Sequence, residues 1–116
     1  MSVKIYHNPR CSKSRTTLKL LQEKGIEPEI ILYLETPPST DEIKRILSQL
    51  GLEPKKLIRF NEAIAKELAI KASDDKSESD WIKLMSQNPK LIERPIVVKG
   101  DKAVIGRPPE NIDSLV

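Results

Sequence analysis

Residues 3–34 read VKIYHNPRCSKSRTTLKLLQEKGIEPEIILYL, and this stretch contains the patterns of two strands with a helix between them. Val3-Lys4-Ile5-Tyr6 alternates apolar and polar residues and is followed by turn residues, which predicts a short strand. Apolar residues at helical spacing from Ser12 to Lys24, with Gly25 as a C-cap, predict a helix. The dense β-branched and aromatic run from Glu29 to Leu34 predicts a buried strand.

The middle of the chain, between residues 39 and 89, shows only helical patterns. Ser39 and Glu42 are three positions apart and form a capping box, and the helix that follows is expected to end at Gly51. Three further short helices are predicted from apolar residues at helical spacing, starting at Pro54, capped by Asn61 and ending at Asn88-Pro89. The region is therefore expected to be an all-helical insertion.

The C-terminal part predicts a β-hairpin and a last short helix. Ile96-Val97-Val98 and Ala103-Val104-Ile105 are two short apolar runs separated by a tight turn at Gly100-Asp101, which is typical of a hairpin. Pro108-Pro109-Glu110 can open a final short helix that runs to Val116.

The predicted element order is β-α-β, then a run of helices, then β-β-α. A β-α-β unit implies two parallel strands joined by a right-handed crossover, and the hairpin adds two more strands. The predicted fold is α/β: a thioredoxin-like mixed four-stranded sheet flanked by helices. A helical insertion separates the β-α-β half from the β-β-α half. No repeat or linker interrupts the chain, so we expect a single domain over residues 1–116.

The composition excludes several classes of protein. The chain has one cysteine and one histidine, too few for an internal disulfide or a zinc site with soft ligands, so we expect no metal and no tightly bound cofactor. No apolar run reaches the roughly 20 residues of a membrane helix, and residues 1–5 lack the apolar core of a signal peptide. A cytoplasmic location away from membranes is therefore expected. The net charge of +3 forms no basic block of the nucleic-acid-binding type and suits a small anionic ligand as well as anything larger.

Cys11 is the candidate nucleophile, because it lies between the end of the first strand and the start of the first helix. The first turn of a helix has unpaired N–H groups and the positive end of the helix dipole, and both favour a thiolate over a thiol. Arg10, Lys13 and Arg15 add positive charge, and His7 adds more when it is protonated. The alternatives are that Cys11 is a small buried hydrophobic residue and that His7 is a solvated loop histidine.

The spacing around Cys11 excludes several related chemistries. Cys11-Ser12-Lys13-Ser14 reads C-x-x-S, so the chain has no second thiol with which to form a dithiol–disulfide couple. A phosphatase-type loop requires an arginine where this chain has Thr17. Papain-type catalysis requires a histidine that a third group orients, and the sequence shows no such partner for His7.

Four segments of the chain resemble the glutaredoxin-coupled arsenate reductase family. They are HNPRCSKSR at 7–15, ILYLETPP at 31–38, LIERPIVV at 91–98 and GRP at 106–108. The resemblance spans essentially the whole chain and is loosest between residues 48 and 86. It implies a thioredoxin-like fold, Cys11 as the nucleophile on arsenate, and a cis peptide bond between Arg94 and Pro95.

The resemblance also implies that Arg59, Arg94 and Arg107 bind the oxyanion. Forked guanidinium donors suit a dianion, and the hairpin would bring Arg94 and Arg107 to the same end of the sheet. The alternative for each arginine is that it is only a surface charge. The family pattern further suggests that Ser14 hydrogen-bonds the thiolate, although a structural role for Asn8 and Ser14 is the simpler interpretation.

The reaction implied by the resemblance is reduction of arsenate to arsenite, as in arsenical resistance, with glutathione as co-substrate and glutaredoxin as partner. One cysteine supplies one sulfur whereas the reduction consumes two thiols, so an external thiol is required. Two alternatives remain from related proteins. One is an Spx-like transcription regulator that binds RNA polymerase, although such proteins typically carry a second cysteine where this chain has Ser14. The other is a glutathione-linked thiol reductase with a different substrate.

Overall fold

The computed structural model describes residues 2–116, and residue 1 of the predicted single domain lies outside that range. The strands are β1 (Val3–Tyr6), β2 (Glu29–Ile31), β3 (Ile96–Lys99) and β4 (Lys102–Ile105). The α-helices are α1 (Ser12–Glu23), α2 (Thr40–Leu50), α3 (Ala63–Glu67) and α4 (Glu78–Gln87). Short 3₁₀ helices cover Pro54–Leu57, Pro89–Leu91 and Pro109–Ser114. Within residues 2–116, no helix is both long enough and apolar enough to cross a membrane.

The four strands form one mixed sheet in the order β2-β1-β3-β4. β1 runs parallel to β2 and antiparallel to β3, so Ile5 pairs with Ile30 on one side and with Val97 on the other. β3 and β4 form the predicted antiparallel hairpin around Gly100, which has a φ of +63°. The prediction of a thioredoxin-like mixed four-stranded sheet is confirmed.

The prediction of a buried strand from Glu29 to Leu34 is wrong. β2 ends at Ile31 and is an edge strand, with Glu29 exposed and Ile30 46% exposed. The chain then turns, because the amides of Glu35 and Thr36 both donate to the Leu32 carbonyl at 2.9 Å. An outer strand has no neighbour on one side, so a dense apolar run does not by itself make it long or buried.

Two compact units divide the chain. The first unit comprises the residues up to Thr36 together with Arg94–Val116, and the second is Pro37–Glu93. The second unit therefore matches the predicted helical insertion between residues 39 and 89. The prediction of a single domain over residues 1–116 stays a prediction.

The first unit has an aliphatic core beneath its sheet. Its fully or almost fully buried members come from both segments of the unit: Val3, Ile5, Leu21, Val97 and Ile112. α1 supplies Leu21 and also buries two polar residues, Ser14 and Thr17. The helix ends at Glu23 and is followed by Gly25 with a φ of +78°. The predicted helix and the glycine after it are thus confirmed to within one residue.

The second unit is helical, and its helices begin and end mostly as predicted. The Ser39 side chain accepts a hydrogen bond from the Glu42 amide at 3.1 Å, and Gly51 caps α2 in the left-handed conformation. The prediction that Asn61 caps α3 is wrong, because the N-cap is Glu62. The Glu62 amide donates to the Arg59 carbonyl, which closes a turn that includes Asn61 and delays the helix to Ala63.

Candidate active site

Cys11 is the N-cap residue of α1, with φ −93° and ψ +123°, and its side chain is partly exposed. Two hydrogen bonds shape the turn before it. The Cys11 amide donates to the Asn8 carbonyl at 3.0 Å, and the Asn8 Oδ1 accepts from the Arg10 amide at 3.0 Å. The Cys11 side chain makes no capping bond. Its sulfur nevertheless lies at a helix start, where the first amides have no partner within the helix.

His7 and Ser14 form a buried polar pair behind this turn. His7 is 6% exposed and Ser14 is fully buried, and the Ser14 Oγ lies 2.7 Å from the His7 Nδ1. The same Oγ accepts a hydrogen bond from the Asn8 amide at 3.0 Å. The pair therefore fastens the loop after β1 to the first turn of α1.

His7 and Ser14 are close to Cys11 in the sequence, but the Ser14 hydroxyl hydrogen-bonds His7 and Asn8. Burial lowers the pKa of His7 below its usual 6.5, and the positive charge of Arg15 lowers it further. The imidazole is therefore neutral at neutral pH, which disfavours the protonated form expected to add positive charge at Cys11. A catalytic role for His7 and Ser14 stays a prediction.

Arg107 is the cation that the structure brings to Cys11. Its Nη1 lies 3.7 Å from the Cys11 Sγ and donates to the Arg94 carbonyl at 3.3 Å. Ile96 pairs with Ile105 across the hairpin, which confirms that Arg94 and Arg107 lie at the same end of the sheet. The peptide bond between Arg94 and Pro95 is cis, as predicted.

A second cis bond joins Arg107 to Pro108, and nothing in the sequence analysis indicated it.

Arg59 lies in the second unit and pairs with two carboxylates. Its Nη1 contacts a Glu62 carboxylate oxygen, and its Nε lies 3.3 Å from the Glu93 Oε1. Its amide donates to the Leu91 carbonyl at 2.7 Å. Cys11, Arg94 and Arg107 belong to the first unit, and the predicted role of Arg59 in oxyanion binding stays a prediction.

Thr17 and Gly106 form a contact that the sequence analysis missed. The buried Thr17 Oγ1 lies 2.8 Å from the Lys13 carbonyl oxygen and 3.2 Å from the Gly106 carbonyl oxygen. The sequence does carry a weak signal for it, because a threonine stands on the apolar face of α1 and a glycine directly precedes Arg107. The partner of such a threonine depends on tertiary packing, which no spacing rule supplies.

A cavity of about 240 Å³ lies beside the loop that leads to Cys11. Its lining combines three apolar residues and two polar ones with one cation and one carboxylate: Pro9, Leu32, Leu34, His7, Asn8, Arg10 and Glu35. All of these residues belong to the first unit. The cavity could hold a small ligand that carries both charges.

Comparisons with known proteins agree on one family. The sequence matches the ArsC family over residues 6–115. It is 53% identical over 115 residues to YfgD of Escherichia coli K12, a protein described as uncharacterized, covering 98% of this chain and 96% of that protein. It is 48% identical over 113 residues to an arsenate reductase of Haemophilus influenzae, covering 97% of each.

The fold has close counterparts among solved structures. An arsenate reductase from Vibrio cholerae superposes with a TM-score of 0.95 at 50% identity, covering 100% of this chain and 98% of that one.

Proposed function

Because the chain belongs to the ArsC family, we propose that it is an oxidoreductase that reduces arsenate to arsenite with Cys11 as the nucleophile. The observation that best supports this is the position of Arg107, whose Nη1 lies 3.7 Å from a sulfur at the start of α1. A guanidinium and a helix N-terminus together favour both a thiolate and an oxyanion that approaches it.

In the proposed first step, the Cys11 thiolate attacks the arsenic atom and forms a sulfur–arsenic bond. One arsenate oxygen leaves as water after it has taken up two protons. Arg107 and Arg94 neutralise the remaining oxyanion charge, and Arg59 is the third proposed ligand. The attacking sulfur, not a metal or a bound cofactor, carries the chemistry, so the arginines act by electrostatic stabilisation.

The second step needs a thiol that the chain does not have, since Cys11 is its one cysteine. We propose that this thiol is glutathione. The two sulfurs give up two electrons in total and form a mixed disulfide, while arsenic(V) becomes arsenite. Glutaredoxin then attacks the glutathione sulfur and releases the Cys11 thiolate.

The cavity beside the loop supports glutathione as this second thiol. Glutathione carries one ammonium and two carboxylate groups, and the cavity offers Arg10 and Glu35 on otherwise mostly apolar walls. Opposite charges on ligand and cavity would orient the tripeptide beside the loop that ends at Cys11.

The test is a coupled assay with arsenate, glutathione, glutaredoxin, glutathione reductase and NADPH, run on the wild type and on Cys11→Ser. We expect arsenate-dependent NADPH oxidation by the wild type and loss of about 10³-fold or more in the variant, since the hydroxyl is a far weaker nucleophile. Circular dichroism would verify that the variant is folded. Turnover by a folded Cys11→Ser variant, or none by the wild type, would contradict the proposal.

One observation favours a second candidate, a thiol reductase that acts on glutathione mixed disulfides. Two carboxylates, Glu62 and Glu93, already compensate the positive charge of Arg59, and a dianion gains less from such an arginine than from an uncompensated one. The same assay without glutaredoxin, and with a small glutathione mixed disulfide in place of arsenate, distinguishes the two, because glutaredoxin would itself reduce that disulfide. Activity on the disulfide alone would favour the second candidate.

A further inference from the structure

We propose that Thr17 is a positioning residue whose buried hydroxyl holds Gly106 against α1 and so keeps the Arg107 guanidinium beside the Cys11 sulfur. The inference rests on the proposed function only in treating Cys11 and Arg107 as the groups that meet the oxyanion. The Thr17 hydroxyl hydrogen-bonds backbone carbonyls and not the reacting groups. Its effect would pass through the backbone of the residue before Arg107.

The Thr17 hydroxyl makes a contact that an ordinary helical threonine lacks. Its Oγ1 lies 2.8 Å from the Lys13 carbonyl oxygen, one turn back, and 3.2 Å from the Gly106 carbonyl oxygen. A hydroxyl has one hydrogen to donate, so the two carbonyls share it. The neighbouring Thr16 makes the same backward bond to the Ser12 carbonyl at 2.9 Å, but it is exposed.

Gly106 is the residue that lets the two segments approach. A Cβ atom at this position would lie 2.7 Å from the Thr17 Oγ1, 2.9 Å from the Thr17 Cγ2 and 2.9 Å from the Pro95 Cγ. These distances are far inside van der Waals contact, so a side chain here would push α1 and Pro95 away. The Gly106 amide also donates to the Pro95 carbonyl at 2.8 Å.

The contact joins the helix that follows Cys11 to the residue that precedes Arg107. Cys11 and Thr17 belong to the same helical segment, and Gly106 is joined to Arg107 by one peptide bond. Arg107 in turn donates from Nη1 to the Arg94 carbonyl and reaches the Cys11 Sγ. Thr17 therefore fixes the helix that carries the sulfur relative to the backbone that carries the guanidinium, and small shifts at such contacts weaken anion binding.

The test uses four variants and one thiol probe. Thr17→Val keeps the side-chain volume and removes the hydroxyl, whereas Thr17→Ser keeps the hydroxyl and removes the methyl. Thr16→Val is the matched control, because it removes a backward bond without a Gly106 contact. Thr17→Ala completes a second comparison with Thr17→Ser, since these two differ only in the hydroxyl.

The readout is the alkylation of Cys11, the chain's one cysteine, by iodoacetamide at increasing arsenate or phosphate concentration. We expect the anion concentration that halves the alkylation rate to rise about five- to tenfold in Thr17→Val, as for the loss of one buried hydrogen bond. Thr17→Ser should stay within about twofold of the wild type although it unfolds at lower urea concentration, because the lost methyl costs packing. Thr16→Val should change neither quantity.

Several results would overturn the inference. Equal protection in Thr17→Val and the wild type would do so, as would a loss in Thr17→Ser as large as that in Thr17→Val, which would indicate a packing role alone. If Thr17→Val does not fold, equal protection in Thr17→Ala and Thr17→Ser would be decisive against it. Absence of anion protection in the wild type would also contradict it.

The readout needs no turnover, so it separates the two proposals. A wild type that does not reduce arsenate, but in which the difference between Thr17→Val and Thr17→Ser persists with phosphate, would overturn only the proposed function. A wild type that reduces arsenate and shows no such difference would overturn only the role of Thr17.

Discussion

At the scale of single residues, the loop before Cys11 depends on polar groups that satisfy one another in the interior. The Ser14 hydroxyl serves both the His7 ring and the Asn8 amide. A buried donor or acceptor that loses its partner costs about 1–3 kcal/mol. These hydrogen bonds thus help to hold the loop, and its shape should respond to the protonation of the one histidine.

The lowered pKa of His7 predicts a pH dependence of stability with a definite sign. The unfolded chain has the ordinary value of 6.5, whereas the folded chain has a lower one. As the pH falls below 6.5, the unfolded state binds the proton first, so the free energy of unfolding decreases there and is unaffected by this group above it. Urea unfolding at pH 7.5 and 5.5, followed by circular dichroism, measures the difference.

His7→Asn is the variant that isolates this effect, since the chain has no other histidine and an amide nitrogen can stand near the Nδ1 position. We expect the variant to lose less stability than the wild type over the same pH interval, because its side chain does not titrate. Equal losses in the two proteins would show that His7 does not cause the dependence.

At the scale of elements, two predicted N-caps of the second unit can be compared. Ser39 caps α2 in the structure, whereas Asn61 does not cap α3. Ser39→Ala should lower the free energy of unfolding by about 1 kcal/mol, because the Glu42 amide loses its acceptor. Asn61→Ala should change it by less than about 0.5 kcal/mol, because Asn61 is exposed and Glu62 is the N-cap of α3. Urea unfolding of both variants tests the contrast, and similar costs would refute it.

Local sequence signals therefore predicted a helix end well where a single capping residue determines that end. A serine cap and a left-handed Gly51 define α2 in the sequence and in the structure alike. Local signals failed at Asn61, because a turn closed by the Arg59 carbonyl competes with the predicted cap. They failed at β2 as well, since the burial of Tyr33, which is 2% exposed, occurs in a turn and not in a strand.

The candidate site was predictable in part for the same reason. The position of Cys11 at a helix start and the convergence of Arg94 and Arg107 follow from element order and hairpin geometry. The Thr17–Gly106 contact joins residues far apart in the chain. Such contacts depend on how α1 packs against the end of β4, and local sequence does not encode that packing.

At the scale of the whole molecule, the first unit is built from two separated segments, and the second unit is the chain between them. Pairing of β1 with β3 must therefore close a loop that contains residues 37–93. Closing a flexible loop costs entropy that grows with its length. A folded second unit has already lost its conformational entropy, so its folding should lower the entropic cost of pairing β1 with β3 in the first unit.

The two units offer separate probes of this coupling. Trp81, the chain's one tryptophan, is 2% exposed in the second unit, where the Phe60 ring meets it edge-on with centroids 5.6 Å apart. Cys11 is the only thiol and lies in the first unit. Tryptophan fluorescence and thiol labelling in urea thus follow the two units independently.

Met85→Ala should lower both transition midpoints together. Met85 is fully buried in α4, and its truncation should cost the second unit about 2–5 kcal/mol through lost packing and a cavity. If the units fold as the expected single domain, the labelling midpoint of Cys11 falls with the fluorescence midpoint of Trp81, because unfolding of the insertion restores the loop entropy that opposes β1–β3 pairing.

Leu21→Ala, in the core of the first unit, is the reciprocal variant and should shift both midpoints as well. A thiol midpoint that stays at the wild-type value in Met85→Ala would mean that the units unfold independently and that the single-domain prediction is wrong.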